Sequence, residues 1–286
     1  MLLLGASGQL GSELVRARGS HAVIAPSHAE APIENSAVIA ALLREHKPKV
    51  VVNCAAFHNV DRCEEEADQA FLSNAIAVDR IASLCDEIAA TFVTISTDYV
   101  FDGAKGAPYT ESDAPHPLST YGISKYAGEL LVRRHAPCHL IVRTCGVYGV
   151  RPSATKGHTF IDRIITQARG SEEIRVVDDV IASPTYARHL AQALLRLIDI
   201  GASGIVHVAN TGAVSWHAFA TEALRQAGIT HPIRAIGSGD WKAKAIRPTY
   251  SALVSDRLGA YGIEMPSWHE GIRDYLADRE ARTRLP

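Results

Sequence analysis

Apolar positions fall into two kinds of run along this chain, and their alternation sets its layout. Continuous runs at 2–4 (LLL), 50–52 (VVV) and 92–95 (FVTI) have the length and β-branched content of strands buried on both faces. Between them come a glycine-rich turn and a helix in GASGQLGSELV, then helices over 36–45 and 65–89 where apolar residues recur at helical spacing. A further short run, 22–25 (AVIA), is expected to be a second strand. Strand, helix and strand in strict turn demand parallel pairing with helices on both faces, an α/β architecture. Past residue 145 the alternation loosens. Helices are expected over 160–169, 186–198 and 216–228, with short helical pieces at 255–261 and 268–279. VVDD at 176–179 and GIVHVAN at 204–210 read as strands, the latter returning to the first sheet. The chain therefore divides into 1–144 and a less regular 145–286.

Composition narrows the partners. A formal net charge of −2 on 286 residues gives no basic surface for nucleic acid or an anionic membrane. No stretch reaches the ~20 apolar residues needed to span a bilayer. The start, MLLLGASG, meets glycine too early for a signal peptide and is expected to be a strand. The cysteines, Cys54, Cys63, Cys85, Cys138 and Cys145, include no CxxC pair, and the histidines show no metal-ligand spacing. Reduced thiols in a cytoplasmic protein without a bound metal are the expectation.

Candidate chemistry lies at three places. After the first strand, Gly5, Gly8 and Gly11 form a GxxGxxG turn leading into a helix. Glycine there lets the backbone approach a pyrophosphate, and the helix N-terminus supplies N–H groups and positive dipole. In TYGISKYAGE, Tyr121 and Lys125 are one helical turn apart and share a face, where an ammonium would lower the pKa of the phenol. Pro115 and Pro117 precede this helix, Ser119 or Thr120 can cap it, and Arg133, Arg134 and Pro137 close it. In TFVTISTDYVFDG, Ser96, Thr97 and Asp98 fall at the carboxyl end of a strand, where ligands bind in open parallel sheets. Thr97 would bond a carbonyl oxygen, Tyr121 would supply the proton, and Lys125 would hold a nicotinamide ribose. The small Ala55 and Ala56 would let a cofactor lie against the strand end. Asn74 either binds backbone near that cofactor or is solvated on its helix. After 22–25, Ser27 and His28 stand where an acidic residue would hold the adenosine ribose of NAD, with Glu30 slightly later, so NADPH is tolerated.

Taken together, GASGQLGSEL, VVNCAAFHNVDRCEEE, ISTDYVFDG, YGISKYAGE, VRTCGVYG, VVDDVIASPT and RPTYS resemble the dTDP-4-dehydrorhamnose reductase family of the extended short-chain dehydrogenase/reductase superfamily. These pieces run nearly the whole chain. The resemblance implies a Rossmann-type sheet carrying a smaller C-terminal substrate-binding cap, and hydride transfer from NADPH, or NADH, to C4 of a dTDP-linked deoxy-4-ketohexose. It implies that Gly8, Gln9 and Leu10 meet the cofactor pyrophosphate and Ala55, Ala56 and Phe57 its middle. It also implies that Thr97, Tyr121 and Lys125 are catalytic, and that Thr97 and Asp98 meet the sugar. Tyr99 follows Asp98 where sugar-nucleotide dehydratases carry a second carboxylate, which favours reduction over elimination of water.

The family's pattern is not kept everywhere. His28 and Pro32 replace an arginine and aspartate near the adenosine end. Gly146 stands for a tryptophan that would pack on the sugar, Val180 and Ala182 for glutamine and glycine, and Tyr250 for asparagine. A nucleotide diphosphate wants arginine forks. Among Arg151, Arg163, Arg175 and Arg247, the last lies in RPTYS and leads, while Trp241 and Trp268 read as core. Two alternatives stay open: a reductase or epimerase of another sugar nucleotide, and a cofactor-binding regulatory subunit like the methionine adenosyltransferase β subunit. Some relatives form homodimers through magnesium; no ligands for that ion can be placed in this sequence.

Overall fold

The computed structural model describes residues 1–151, 157–170, 173–240 and 242–283, so Trp241 lies outside the described residues. Strands β1 (Leu2–Leu4), β2 (Val50–Asn53), β3 (Thr91–Thr97), β4 (His139–Thr144) and β7 (Gly204–His207) form one parallel five-stranded sheet in the order β1-β2-β3-β4-β7. Each is a near-continuous apolar run because both faces are covered. On one face, α1 (Gln9–Ala17) and α8 (Ala187–Asp199) pack together over Leu3, Val52, Val93 and Val142. On the other, α2 (Ser36–His46), α5 (Ala77–Glu87) and α6 (Thr120–His135) cover Leu2, Leu4, Val51 and Phe92. This is a Rossmann-type α/β fold.

Two expectations shift. Residues 22–25 give only a single bridge, Ile24 to Leu2, because the run is short and Pro26 removes the next donor. The helix expected over 65–89 is broken into α3 (Val60–Glu65), α4 (Ala67–Phe71), a π-helical turn (Leu72–Ile76) and α5. Gly128 faces that turn, where a Cβ would collide with the Asn74 carbonyl oxygen, so glycine lets α6 lie against it.

The second half builds a smaller layer over the carboxyl ends of β3 and β4. It contains α7 (Phe160–Arg169), β5 (Ile174–Val177) paired with β9 (Ile233–Ile236), β6 (Ile181–Ala182) paired with β8 (Val214–Ser215), α9 (Trp216–Gln226) and α10 (Trp268–Thr283). An aromatic core of Tyr148, Tyr186, Phe219, Trp268 and Tyr275 fills it. Among the described residues no helix is long and apolar enough to cross a membrane.

Candidate active site

The glycine turn is built for close approach. Gly5 has φ +79°, and a Cβ on it would lie 2.7 Å from the Ala55 nitrogen, so only glycine lets the 5–8 turn sit against Cys54 and Ala55. A Cβ on Gly11 would collide with the Gly5 carbonyl oxygen. Gly8 closes the turn by donating its N–H to Gly5 O at 3.1 Å and forms the N-cap of α1 without a side chain over the first N–H groups. Gln9 and Leu10 begin the helix. A dinucleotide pyrophosphate fits such a bare helix start. Ala55, Ala56 and Phe57 follow β2 as irregular chain alongside it.

Asn74 is buried, and its amide clamps this segment. Oδ1 accepts the Phe57 N–H at 2.9 Å, while Nδ2 donates to Phe57 O at 2.9 Å and to Ser124 Oγ at 3.0 Å. Of its two readings, the structure gives the backbone one. At the adenosine end, the Glu30 carboxylate accepts the Ser27 N–H at 2.8 Å, and His28 is exposed.

Ser119 caps α6 by accepting the Gly122 N–H at 3.2 Å, which fixes the first turn and with it Tyr121. A Cβ on Gly122 would collide with Tyr99 O, so glycine allows the segment after β3 to touch this turn. The Thr97 hydroxyl donates to Asp98 Oδ1 at 3.1 Å and accepts the Tyr99 N–H at 3.2 Å, and it is near enough to the Tyr121 phenol to lower its pKa. Lys125 is buried on the same face of α6 and donates from Nζ to Ile95 O at 2.6 Å. The three candidate catalytic side chains therefore converge at the carboxyl end of β3, with Cys54 close enough to feel the Lys125 charge.

The electrostatics correct one expectation. Burial raises the Tyr121 phenol above its ordinary value, with the Thr97 hydroxyl opposing it; a lowering by Lys125 is not what this environment produces. Burial instead pushes Lys125 down to about 8, against the charge of Glu129. Desolvation dominates because the side chain is buried and its hydrogen bond runs to the neutral Ile95 carbonyl, not to a carboxylate.

Asp98 is also buried and spoken for. Its Oδ2 accepts Ser251 Oγ at 2.6 Å and Cys145 Sγ at 3.1 Å, and burial still raises its pKa. Arg247 closes its fork on Asp61 of α3, at 2.8 and 3.1 Å, and Lys244 N and Ala245 N donate to the same carboxylate. That pairing pulls Asp61 down to about 2. A diphosphate would reach this arginine only by displacing a carboxylate. The other arginines stand apart from it: Arg151 and Arg175 are exposed, and Arg163 lies over the Phe160 ring.

Gly146 has φ +52°, and a Cβ there would lie 3.1 Å from Trp216 Cη2 and 3.3 Å from Pro184 Cα. The edge of an indole from α9 thus fills the space beside this glycine. Sequence reading did not single out Asp61, Tyr99, Ser251 or Trp216 as site residues. RPTYS carried the only signal, through Arg247.

The RmlD substrate binding domain model matches residues 1–281. The chain belongs to the dTDP-4-dehydrorhamnose reductase family. It is 38% identical over 283 residues to the spore coat polysaccharide biosynthesis protein SpsK of Bacillus subtilis, covering 98% of each chain. It is 33% identical to the dTDP-4-dehydrorhamnose reductase of Shigella flexneri, covering 96% of each. The structure of dTDP-4-dehydrorhamnose reductase from Bacillus anthracis in complex with NADP superposes with TM-score 0.92 at 34% identity, over 97% of this chain and 98% of that one.

Proposed function

We propose that the protein is an NADPH-dependent reductase of the C4 ketone of a nucleotide-linked deoxysugar, with dTDP-4-dehydrorhamnose the leading substrate and dTDP-rhamnose the product. The observation that carries the reading is the convergence of Thr97, Tyr121 and buried Lys125 at the carboxyl end of β3, with the bare start of α1 at the end of β1. NADP bound to the Bacillus anthracis relative supports the cofactor.

Gly5, Gly8, Gln9, Leu10 and Gly11 would hold the pyrophosphate, and Ala55, Ala56 and Phe57, fixed by Asn74, would line the middle of the dinucleotide. Reduced nicotinamide, when bound, supplies hydride. Lys125 would donate to the nicotinamide ribose. Tyr121 holds its proton at neutral pH as any phenol does, burial only raising its pKa further, so it would deliver that proton to the ketone oxygen as the alcohol forms. The Thr97 hydroxyl would turn its proton from Asp98 to that oxygen and hold it in line, and the Asp98 Oδ1 so released would meet the sugar beside it.

The test is loss of nicotinamide absorbance when NADPH and dTDP-4-dehydrorhamnose are mixed with the protein, with NADH in parallel. Tyr121→Phe should abolish turnover and leave NADPH binding intact. Turnover undiminished in that variant would refute the acid role. A second reading, another 4-ketosugar nucleotide, is favoured by Gly146 and the Trp216 edge beside it. It predicts no turnover with the rhamnose precursor but Tyr121-dependent turnover with a different sugar.

A further inference from the structure

RPTYS lies far from the catalytic residues in sequence, yet it touches the chain immediately after Thr97 at two points. At its first residue, the Arg247 guanidinium is locked on Asp61, close enough to Tyr99 for its charge to act on that phenol. The Tyr99 ring packs edge-on against Tyr121, centroids 5.9 Å apart at 76°. At its last residue, Ser251 Oγ donates to Asp98 Oδ2 at 2.6 Å, while Asp98 Oδ1 accepts the Thr97 hydroxyl at 3.1 Å. The segment is itself anchored: Ile181 N donates to Thr249 O and Ser251 N donates to Ile181 O, both at 2.8 Å. A Cβ on Gly103 would lie 2.9 Å from Tyr250 N, so the loop after Tyr99 packs directly on it.

We propose that Arg247–Ser251 is a two-point brace that positions both catalytic side chains, Arg247 through Tyr99 onto Tyr121 and Ser251 through Asp98 onto Thr97. Neither Arg247 nor Ser251 needs to touch the ketone. The first branch limits where the phenol ring can lie. The second holds Asp98 in place through Ser251, and Asp98 Oδ1 in turn fixes where the Thr97 hydroxyl lies beside the phenol. Asp61 completes the first branch, because an unpaired guanidinium on a half-exposed loop would be free to move away from Tyr99. The proposal rests on Tyr121 and Thr97 acting as assigned above.

A double-mutant cycle with a substrate-free readout tests it. Arg247→Met and Tyr99→Phe should each lower kcat about tenfold, since small misplacements of reacting groups are costly, with the KM for NADPH unchanged. Their combination should be no worse than either alone, because both cut one branch. Ser251→Ala should lower kcat independently and multiply with Arg247→Met. Arg247→Lys should not rescue, since an ammonium cannot hold Asp61 bidentately and still meet Tyr99. With 3-fluorotyrosine at position 121, the fluorine resonance should move or split in Arg247→Met and in Tyr99→Phe without any substrate present. Tyr99→Phe removes a single hydroxyl and serves if the arginine variant fails to fold. An unmoved resonance in Tyr99→Phe would overturn the brace. So would a rise in the KM for the sugar nucleotide in Arg247→Met that Tyr99→Phe does not share, since that pattern belongs to an arginine gripping the diphosphate. Retained turnover in Tyr121→Phe would instead overturn the acid assignment, and the fluorine readout would still judge the brace.

Discussion

Burial acts in opposite directions on two neighbours of one helix face, raising the pKa of the Tyr121 phenol and lowering that of the Lys125 ammonium. Lys125 cannot spread its charge into solvent, so its pKa falls to about 8 from an ordinary 10.5. Between those values the unfolded chain holds a proton that the folded chain has released, so this group makes stability rise with pH through that window. Below pH 8 the cost of burying the ammonium is fully present. Above 10.5 it is gone. Half-buried Cys54 and buried Cys85, pushed up to about 12, act in the opposite sense at the upper end, so the lysine must be isolated by difference. Urea unfolding of wild type and Lys125→Met at stepped pH should show wild type gaining on the order of 3 kcal/mol relative to the variant from pH 8 to 10.5. A flat difference would place the ammonium in contact with solvent. The Tyr121–Lys125 pairing was legible because four residues on a helix fix relative position locally. Asp61 and Arg247 meet across 186 residues, and nothing in either segment names the other. The direction of the Tyr121 shift also needed the fold, because spacing shows that a lysine is near and not that a carbonyl already holds it.

At the scale of elements, the strands and the main helices follow from apolar runs and caps, whereas the break at Leu72–Ile76 does not. A π turn adds a residue to a helical circuit and re-aims the side chains around it. Here Asn74, inside that turn, is buried against Phe57 and Ser124. The sequence showed a polar residue in a core-seeking pattern, which is the trace such a turn leaves, but not which backbone it would bind. Asn74→Ala removes the acceptor of the Phe57 N–H and leaves the Phe57 carbonyl only the weak Cys63 thiol at 3.5 Å, and should cost about 1–3 kcal/mol in denaturant unfolding. It should also weaken NADPH binding, measured by nicotinamide fluorescence, since Ala55, Ala56 and Phe57 would lose their fixed path. Loss of stability with unchanged NADPH affinity would separate this segment from the cofactor. The strand expected at 22–25 shrank for a complementary reason: four apolar residues suffice for a sequence pattern, yet Pro26 ends the pairing after one bridge.

For the whole molecule, the change of pattern near residue 145 is real, but it does not mark where one folding unit ends. β7 pairs with β4 inside the main sheet, and α8 packs on α1 over Leu3, Leu10 and Leu14. The C-terminal helix is tied to the same layer. Asp278 accepts Tyr186 Oη at 2.5 Å, Arg16 Nη2 at 2.9 Å and Arg188 Nη1 at 3.0 Å, joining α10 to α8 and α1. Residues 1–144 alone would leave β4 as a bare edge and one face of the sheet without α8, exposing Val142, Leu140 and Val93 to water. That fragment should therefore lack cooperative unfolding, by near-ultraviolet circular dichroism and urea titration. The intact chain offers a sharper check, because Trp216, Trp241 and Trp268 all lie in the second half. Tryptophan fluorescence reports that half alone, while far-ultraviolet dichroism reports every helix. If the two halves share one core, both signals should follow the same urea curve with one midpoint. A fluorescence midpoint at lower urea than the loss of helix would show the upper layer opening by itself.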